Sequence, residues 1–322
     1  MPCGRRTLGG VVVRNWIARL RPGHGDGGIF DGLPDGVRPT MIYAFDGFLN
    51  AGSAPRLALE HLESRDEGEV VHTFDLDDYY DYRARRPPVV FDRDRYSDYE
   101  QPSLELRLHR DDHGAPYLVL TGPEPDFRWE QFTEEVHELV EEHGVELVVG
   151  LGAVPMGVPH TRPSVVTNHA VRRDLLDRKN LFRAQVVLPA SIQSVLEIRL
   201  GEWGHDALGY VAHVPQYVAQ VEYPSASVAL LEAVAHRTGL QFDLEELRLQ
   251  QAETVADIHK QVEEQDGGEV LAGLERQYDQ MNRSATEPLV ADESELPTPE
   301  EIGEQFEQFL AQLDERESGT SD

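Results

Sequence analysis

"RWEQFTEEVHELVEEHGVELVVGLG" (residues 128–152) contains two different periodicities in direct succession. Apolar residues at 129, 132, 136, 139 and 140 recur at helical spacing, and Gly144 follows the last turn as a helix stop. "VELVVGLG" (145–152) is short and apolar on both faces, as a strand covered on both sides must be. A helix that feeds straight into such a strand implies a parallel sheet with helices packed on it.

The same alternation extends in both directions. "MIYAFDG" (41–47) reads as a buried strand closed by Asp-Gly. "SAPRLALEHLES" (53–64) reads as a helix with Ser53 as N-cap and Pro55 in its first turn. "EVVHTFDLDDYYDY" (69–82) begins as a strand and runs into an acidic, tyrosine-rich loop, and 104–122 alternates around Asp-His-Gly as a hairpin. Beyond 152 the patterns predict a helix near 170–179, a strand near 183–188, a helix over 191–204, a strand over 207–215 and a helix over 225–239. Two acidic helices hinged at Gly267-Gly268 follow. The expected organisation is a poorly ordered extension over 1–40, an α/β core over 41–240, an acidic helical subdomain over 241–283, and a linker, short helix and frayed tail over 284–322. The extension also reads as an over-called start, with the chain proper beginning nearer Met41.

Composition narrows the function classes. Of 322 residues, 40% are hydrophobic and 27% charged, with a formal net charge of −30. Such a surface repels nucleic-acid phosphates and anionic lipid, so neither is an expected partner. The charge is uneven: residues 241–322 carry 23 acidic and 5 basic side chains. This reads as a solvated helical region or as a surface for a basic partner. No apolar stretch reaches the ~20 residues of a membrane helix. Cys3 is the single cysteine, which excludes a disulfide within the chain and fits a reducing cytoplasm. Walker, G-x-S-x-G, H-E-x-x-H and paired C-x-x-C signatures are absent, and no cofactor or metal is expected.

Candidate site residues follow from the rule that ligands bind beyond the carboxyl ends of parallel strands. Asp46, Gly152 and His213 fall at such ends and are expected to share one rim. Asp46 is either an acid/base or the acceptor of an Asp-Gly turn, with Gly47 and Asn50 in the same loop. His213 is either a site residue or a satisfied core histidine. The loop "GLGAVPMGVPHTRP" (150–163) adds His160, Thr161 and Arg162. His beside Arg suits an anion; alternatively Arg162 pairs with a carboxylate and His160 meets a backbone carbonyl. Tyr79, Tyr80 and Tyr82 with Arg86, and Trp129, are residue types favoured at protein interfaces, although the loop equally reads as one that packs its own rings on the domain.

Taken in order, five segments resemble the type-two proteasome assembly chaperone family. "FDGFLNAGSA" (45–54) is similar to its F-x-G-(W/F)-x-(D/N)-A-G-x-A opening, and "DLDDYYDYRARRP" (75–87) to its D-x-x-x-x-Y-D-(F/Y)-x-x-x-R-P segment. "GPEPDFRWEQF" (122–132) resembles G-x-E-P-x-x-R-W-x-x-F, "GLGAVPMGVPHTRP" resembles L-G-x-x-x-x-x-P-H-T-R-P, and "AHVPQYVAQVEYPSASVALLEAV" (212–234) resembles V-P-H-Y-(L/V)-A-x-x-x-x-P-x-A-x-x-x-L-L. Gln216 stands where the pattern usually has His, and Phe48 where it usually has Trp. The resemblance implies a phosphorylase/hydrolase-like α/β fold with a mixed, mostly parallel sheet, a tendency to homo-oligomerise (a trimer by analogy), and relatives that assist proteasome assembly. "SGTSD" lacks the hydrophobic–tyrosine tail with which some relatives dock on the proteasome. Two functional readings follow. One is a protein-binding assembly or adaptor chaperone with proteasome components as partners. The other is a binder or hydrolase/transferase for a nucleoside-like, anionic or amine ligand, in which Asp46, His160 and Arg162 converge.

Overall fold

The computed structural model describes residues 38–177 and 185–286, with side chains through 281. Its centre is a seven-stranded sheet built from β1 (Thr40–Asp46), β2 (Glu69–Thr73), β5 (Glu105–Arg110), β6 (Pro116–Pro123), β7 (Leu147–Met156), β8 (Val166–Ala170) and β9 (Ala207–Pro215), in the order β2-β5-β6-β1-β7-β9-β8. A separate two-stranded hairpin, β3 (Val90–Asp92) and β4 (Arg95–Ser97), stands outside it. Strands β6, β1, β7 and β9 are mutually parallel; β5 joins β6 as an antiparallel hairpin and β8 closes the other edge antiparallel to β9.

Alternation along the strands divides the core into two layers. Ile42, Ala44, Val149, Leu151, Leu208 and Tyr210 point to one face, where α1 (Ala54–Arg65) and α5 (Pro224–Thr238) cover them. On the other face Phe45 meets Phe132 of α3 (Trp129–Glu142), which also packs on Phe74 and on Tyr79 of the short α2 (Leu76–Tyr79). Next to α3 on that face lies α4 (Ile192–Trp203), whose Leu196 and Leu200 are fully buried. The acidic helices α6 (Glu245–Glu264) and α7 (Gly268–Thr286) follow α5, and α6 packs against it.

Several sequence expectations are corrected. The region near 170–179 holds no α-helix where it is described: Ala170 is the last residue of an edge strand, Val166–Ala170, paired with β9, and only a short 3-10 turn follows at Arg173–Leu175. Of the strand expected near 183–188, residues 185–188 are irregular and the rest lie outside the described residues. Ser53 does not cap α1 through its side chain, since its own backbone is left-handed at φ 47°. The "GLGAVPMGVPHTRP" stretch is strand through Met156, so its loop begins only at Gly157. The terminal extension and tail helix lie outside the described residues, apart from residues 38–40.

Candidate functional site

Strands β1 and β6 lie side by side and parallel, yet their connections leave to opposite faces. After β1 the chain enters α1 on one face; after β6 it enters α3 on the other. Such a divergence opens a crevice beyond the carboxyl ends of the two strands, the usual ligand position in open α/β sheets. A cleft of about 1030 Å³ lies there. Its floor carries Ala44, Thr121, Glu105 and Arg107, one wall is α1 through Arg56, Leu59, Glu60 and Glu63, and the other holds Tyr80, Arg85, Pro102 and Ser103.

Three expected site residues, Asp46, Gly47 and Asn50, line this cleft. The Asn50 amide donates to Asp46 Oδ1 at 2.6 Å, which fixes both side chains. Asn50 Oδ1 is buried without a protein partner among the described residues. Arg85 enters from the tyrosine–arginine loop. Its guanidinium lies 4.5 Å from the centre of the Tyr80 ring, donates to the Glu124 carbonyl at 2.6 Å and pairs with Asp126 at 2.5 Å. Carboxylates outnumber guanidinium groups: Asp46, Glu60, Glu63, Glu67 and Glu105 face Arg56, Arg85 and Arg107. Burial raises the Glu63 pKa, and Glu60 and Glu105 reinforce that rise against Arg107.

The other expected residues lie elsewhere, so the proposed convergence of Asp46, His160 and Arg162 does not occur. Gly152 sits within β7, and side-chain alternation puts Gly152 and His213 on the sheet face opposite Asp46. His213 is buried, and burial lowers its pKa to about 4, so the ring is neutral. His160 is also buried; its ring nitrogen and its backbone N–H both meet the Tyr217 hydroxyl, at 2.7 and 2.9 Å. Thr161 donates to Glu275 at 2.5 Å. Arg162 forms a two-pronged pair with Asp279, both contacts at 3.0 Å, and reaches Glu275 at 3.1 Å. Tyr278 donates to the Pro163 carbonyl at 2.8 Å. The P-H-T-R-P loop therefore clamps α7 to the core.

Among the expected interface residues, Tyr79 is in the core at 1% exposure, with its hydroxyl on Glu135 at 2.5 Å. Tyr80, Tyr82 and Trp129 are half-buried and Arg86 is exposed. The loop's outward aromatics come later: Phe91 and Tyr96 pack on each other across the β3–β4 hairpin at 5.0 Å, while 59% and 73% exposed. Glu124, which was not singled out, ties the site together. One carboxylate oxygen accepts from the Phe48 N–H at 2.9 Å, and the other from the Ile192 N–H at the start of α4 at 3.0 Å. The E-P of "GPEP" was the available signal.

The fold is thus a mixed, mostly parallel α/β sheet with helices on both faces, and its distinguishing features are a crevice at the β1/β6 divergence and a helical appendage clamped by P-H-T-R-P. Residues 44–262 match the model of the PAC2 family, and the chain belongs to that family. It resembles a Mycobacterium tuberculosis protein of unknown function at 42% identity, over 76% of this chain and 86% of that one, with a TM-score of 0.71. A Corynebacterium glutamicum protein of unknown function is similar at 35% identity over 77% and 93%, with a TM-score of 0.73. A Mycobacterium tuberculosis proteasome-assembly chaperone homologue is similar at 26% identity over 69% and 94%, with a TM-score of 0.65. No curated protein matches significantly. No helix among the described residues is long and apolar enough to cross a membrane.

Proposed function

We propose that this PAC2 protein is a protein-binding assembly or adaptor chaperone, acting as a homo-oligomer, with proteasome components as its partner class. The β3–β4 hairpin carries the reading. It pairs with no strand of the main sheet and presents Phe91 and Tyr96 to solvent beside Val89, Val90 and Tyr99, all of them large and exposed. A chain that holds large aromatic rings out to water on a two-strand support is suited to bury them against another protein. The likeness to a proteasome-assembly chaperone homologue supports the partner class. Replacing both rings, as Phe91→Asp with Tyr96→Asp, should abolish co-purification with co-expressed proteasome core subunits of the same organism and leave the melting temperature unchanged. Equal capture by the variant removes the hairpin from the interface, and no capture by the wild-type chain removes the partner class.

The 1030 Å³ cleft favours a second reading, a small-molecule site. With five carboxylates facing three guanidinium groups, it suits a cationic amine better than the anion that His160 and Arg162 suggested. Titration with di- and polyamines, read by thermal shift against Asp46→Asn and Glu63→Gln, tests it: no saturable shift in the wild-type protein ends this reading.

A further inference from the structure

Among the described residues, one group of histidines and carboxylates brings three ligand atoms within 4.8 Å of one another: His137, Glu141 and His205. It lies apart from the cleft, on the opposite face of the sheet, where α3 runs beside the end of α4. His137 and Glu141 are four residues apart on α3, so they project from one side of the helix. His205 is delivered by the end of α4. Gly204 turns the chain at φ +88°, and the His205 N–H closes on the Leu200 carbonyl at 2.9 Å.

The rings are held in place. His137 stacks on Trp203 with centroids 4.4 Å apart and planes 19° from parallel. His137 Nδ1 lies 2.8 Å from His205 Nε2, and His205 Nε2 lies 3.3 Å from Glu141 Oε1. Two neutral imidazoles this close share one proton, with one nitrogen donating and the other accepting. A metal ion can take the place of that hydrogen bond when the donating ring shifts its proton to its other nitrogen, so that both rings stay neutral and each offers a lone pair. Bond lengths of about 2.0–2.2 Å to a tetrahedral zinc place ligand atoms about 3.3 Å apart. The His205–Glu141 separation already matches that distance, the two rings need to part by only about 0.5 Å to reach it, and the Glu141 side chain, 64% exposed, has room to adjust.

We propose that His137, Glu141 and His205 form a Zn²⁺ site that staples the end of α3 to the end of α4. Two imidazoles and one carboxylate suit zinc and leave a fourth position for water or for a ligand from a partner protein. Calcium and magnesium, which take oxygen ligands, are poorly served by this set. The site is independent of the cleft and of the β3–β4 hairpin.

The experiment uses the full-length protein freed of metal by chelation and titrated with ZnSO₄ by calorimetry. One equivalent should bind with micromolar or tighter affinity and raise the melting temperature by on the order of 5 °C. Cobalt substituted at the site should show the visible absorption of a tetrahedral complex. Glu141→Ala, at an exposed side chain, should weaken binding about tenfold, and His137→Asn and His205→Asn about a hundredfold, with far-ultraviolet circular dichroism checking that each variant is folded. Wild-type protein without saturable zinc binding below about 100 µM overturns the proposal, because a built site of this class binds far more tightly. Binding that survives unchanged in Glu141→Ala and His137→Asn also overturns it, since the metal then sits on other groups. If His205→Asn fails to fold, those two variants decide the outcome.

Discussion

Glu124→Ala should cost about 2–4 kcal/mol of stability. The Glu124 carboxylate accepts the Phe48 N–H at 2.9 Å and the Ile192 N–H at 3.0 Å, two donors from segments far apart in the sequence. Hydrogen bonds to a charged acceptor contribute about 1.5–3 kcal/mol each. The side chain is half-buried, so water recovers part of that sum when the carboxylate is removed. The Ile192 contact adds the favourable placement of a negative charge at the start of α4, a 12-residue helix. Gly47 gives an independent check. A Cβ there would lie 1.9 Å from Glu124 Oε2 and 2.6 Å from Glu124 Cβ, so Gly47→Ala must push the carboxylate away and break the same clamp. The two substitutions should therefore be non-additive, the double variant costing less than their sum by about 1 kcal/mol or more. Urea unfolding of the four proteins measures all three quantities. A Glu124→Ala cost below about 1 kcal/mol, or strict additivity with Gly47→Ala, would refute the clamp.

Further outcomes are expected from the buried histidine and the clamped helix. His213 is buried neutral with its pKa lowered to about 4 from 6.5. Between those values the unfolded chain binds a proton that the folded chain refuses, so stability is complete above pH 6.5 and falls as pH drops toward 4. The loss between pH 7.5 and 4.5 should be about 2–3 kcal/mol greater for wild type than for His213→Gln, read by urea titration at both pH values, and equal slopes would contradict the assignment. Tyr278→Phe removes the 2.8 Å contact to the Pro163 carbonyl and should lower the stability of α7 docking by about 1 kcal/mol, seen as faster amide exchange confined to α7. Arg162→Ala should speed exchange in the same helix, and high salt should mimic it because the pairs with Glu275 and Asp279 are solvent-accessible. Uniform exchange rates in α7 across these proteins would show that another contact holds the helix.

What the sequence determined by itself was the alternation of elements and hence the class of fold. The 3.6-residue period ending at Gly144 and the apolar run behind it are local signals, and α3 and β7 appear where those signals stand. The ordered motifs carried the family, because backbone-determining residues such as Gly47, Pro125 and Pro163 keep fixed neighbours along the chain. Asp46, Gly47 and Asn50 could be placed at a strand end and do line the cleft. The tertiary structure alone decided what the polar residues do. Arg162 reads equally as an anion binder or an ion pair until Asp279, 117 residues later, is folded against it. Tyr79 and Tyr80 are adjacent in one acidic run, yet one is in the core and the other lines the cleft, since a short helix turns them in different directions. Val166–Ala170 became a strand because β9 offered it an edge, and no local pattern records that offer. His137 and His205 meet at 2.8 Å only because two helices end side by side. Periodicity is a property of neighbours in sequence, whereas pairing of charges, edges and ligands depends on distances that folding alone sets.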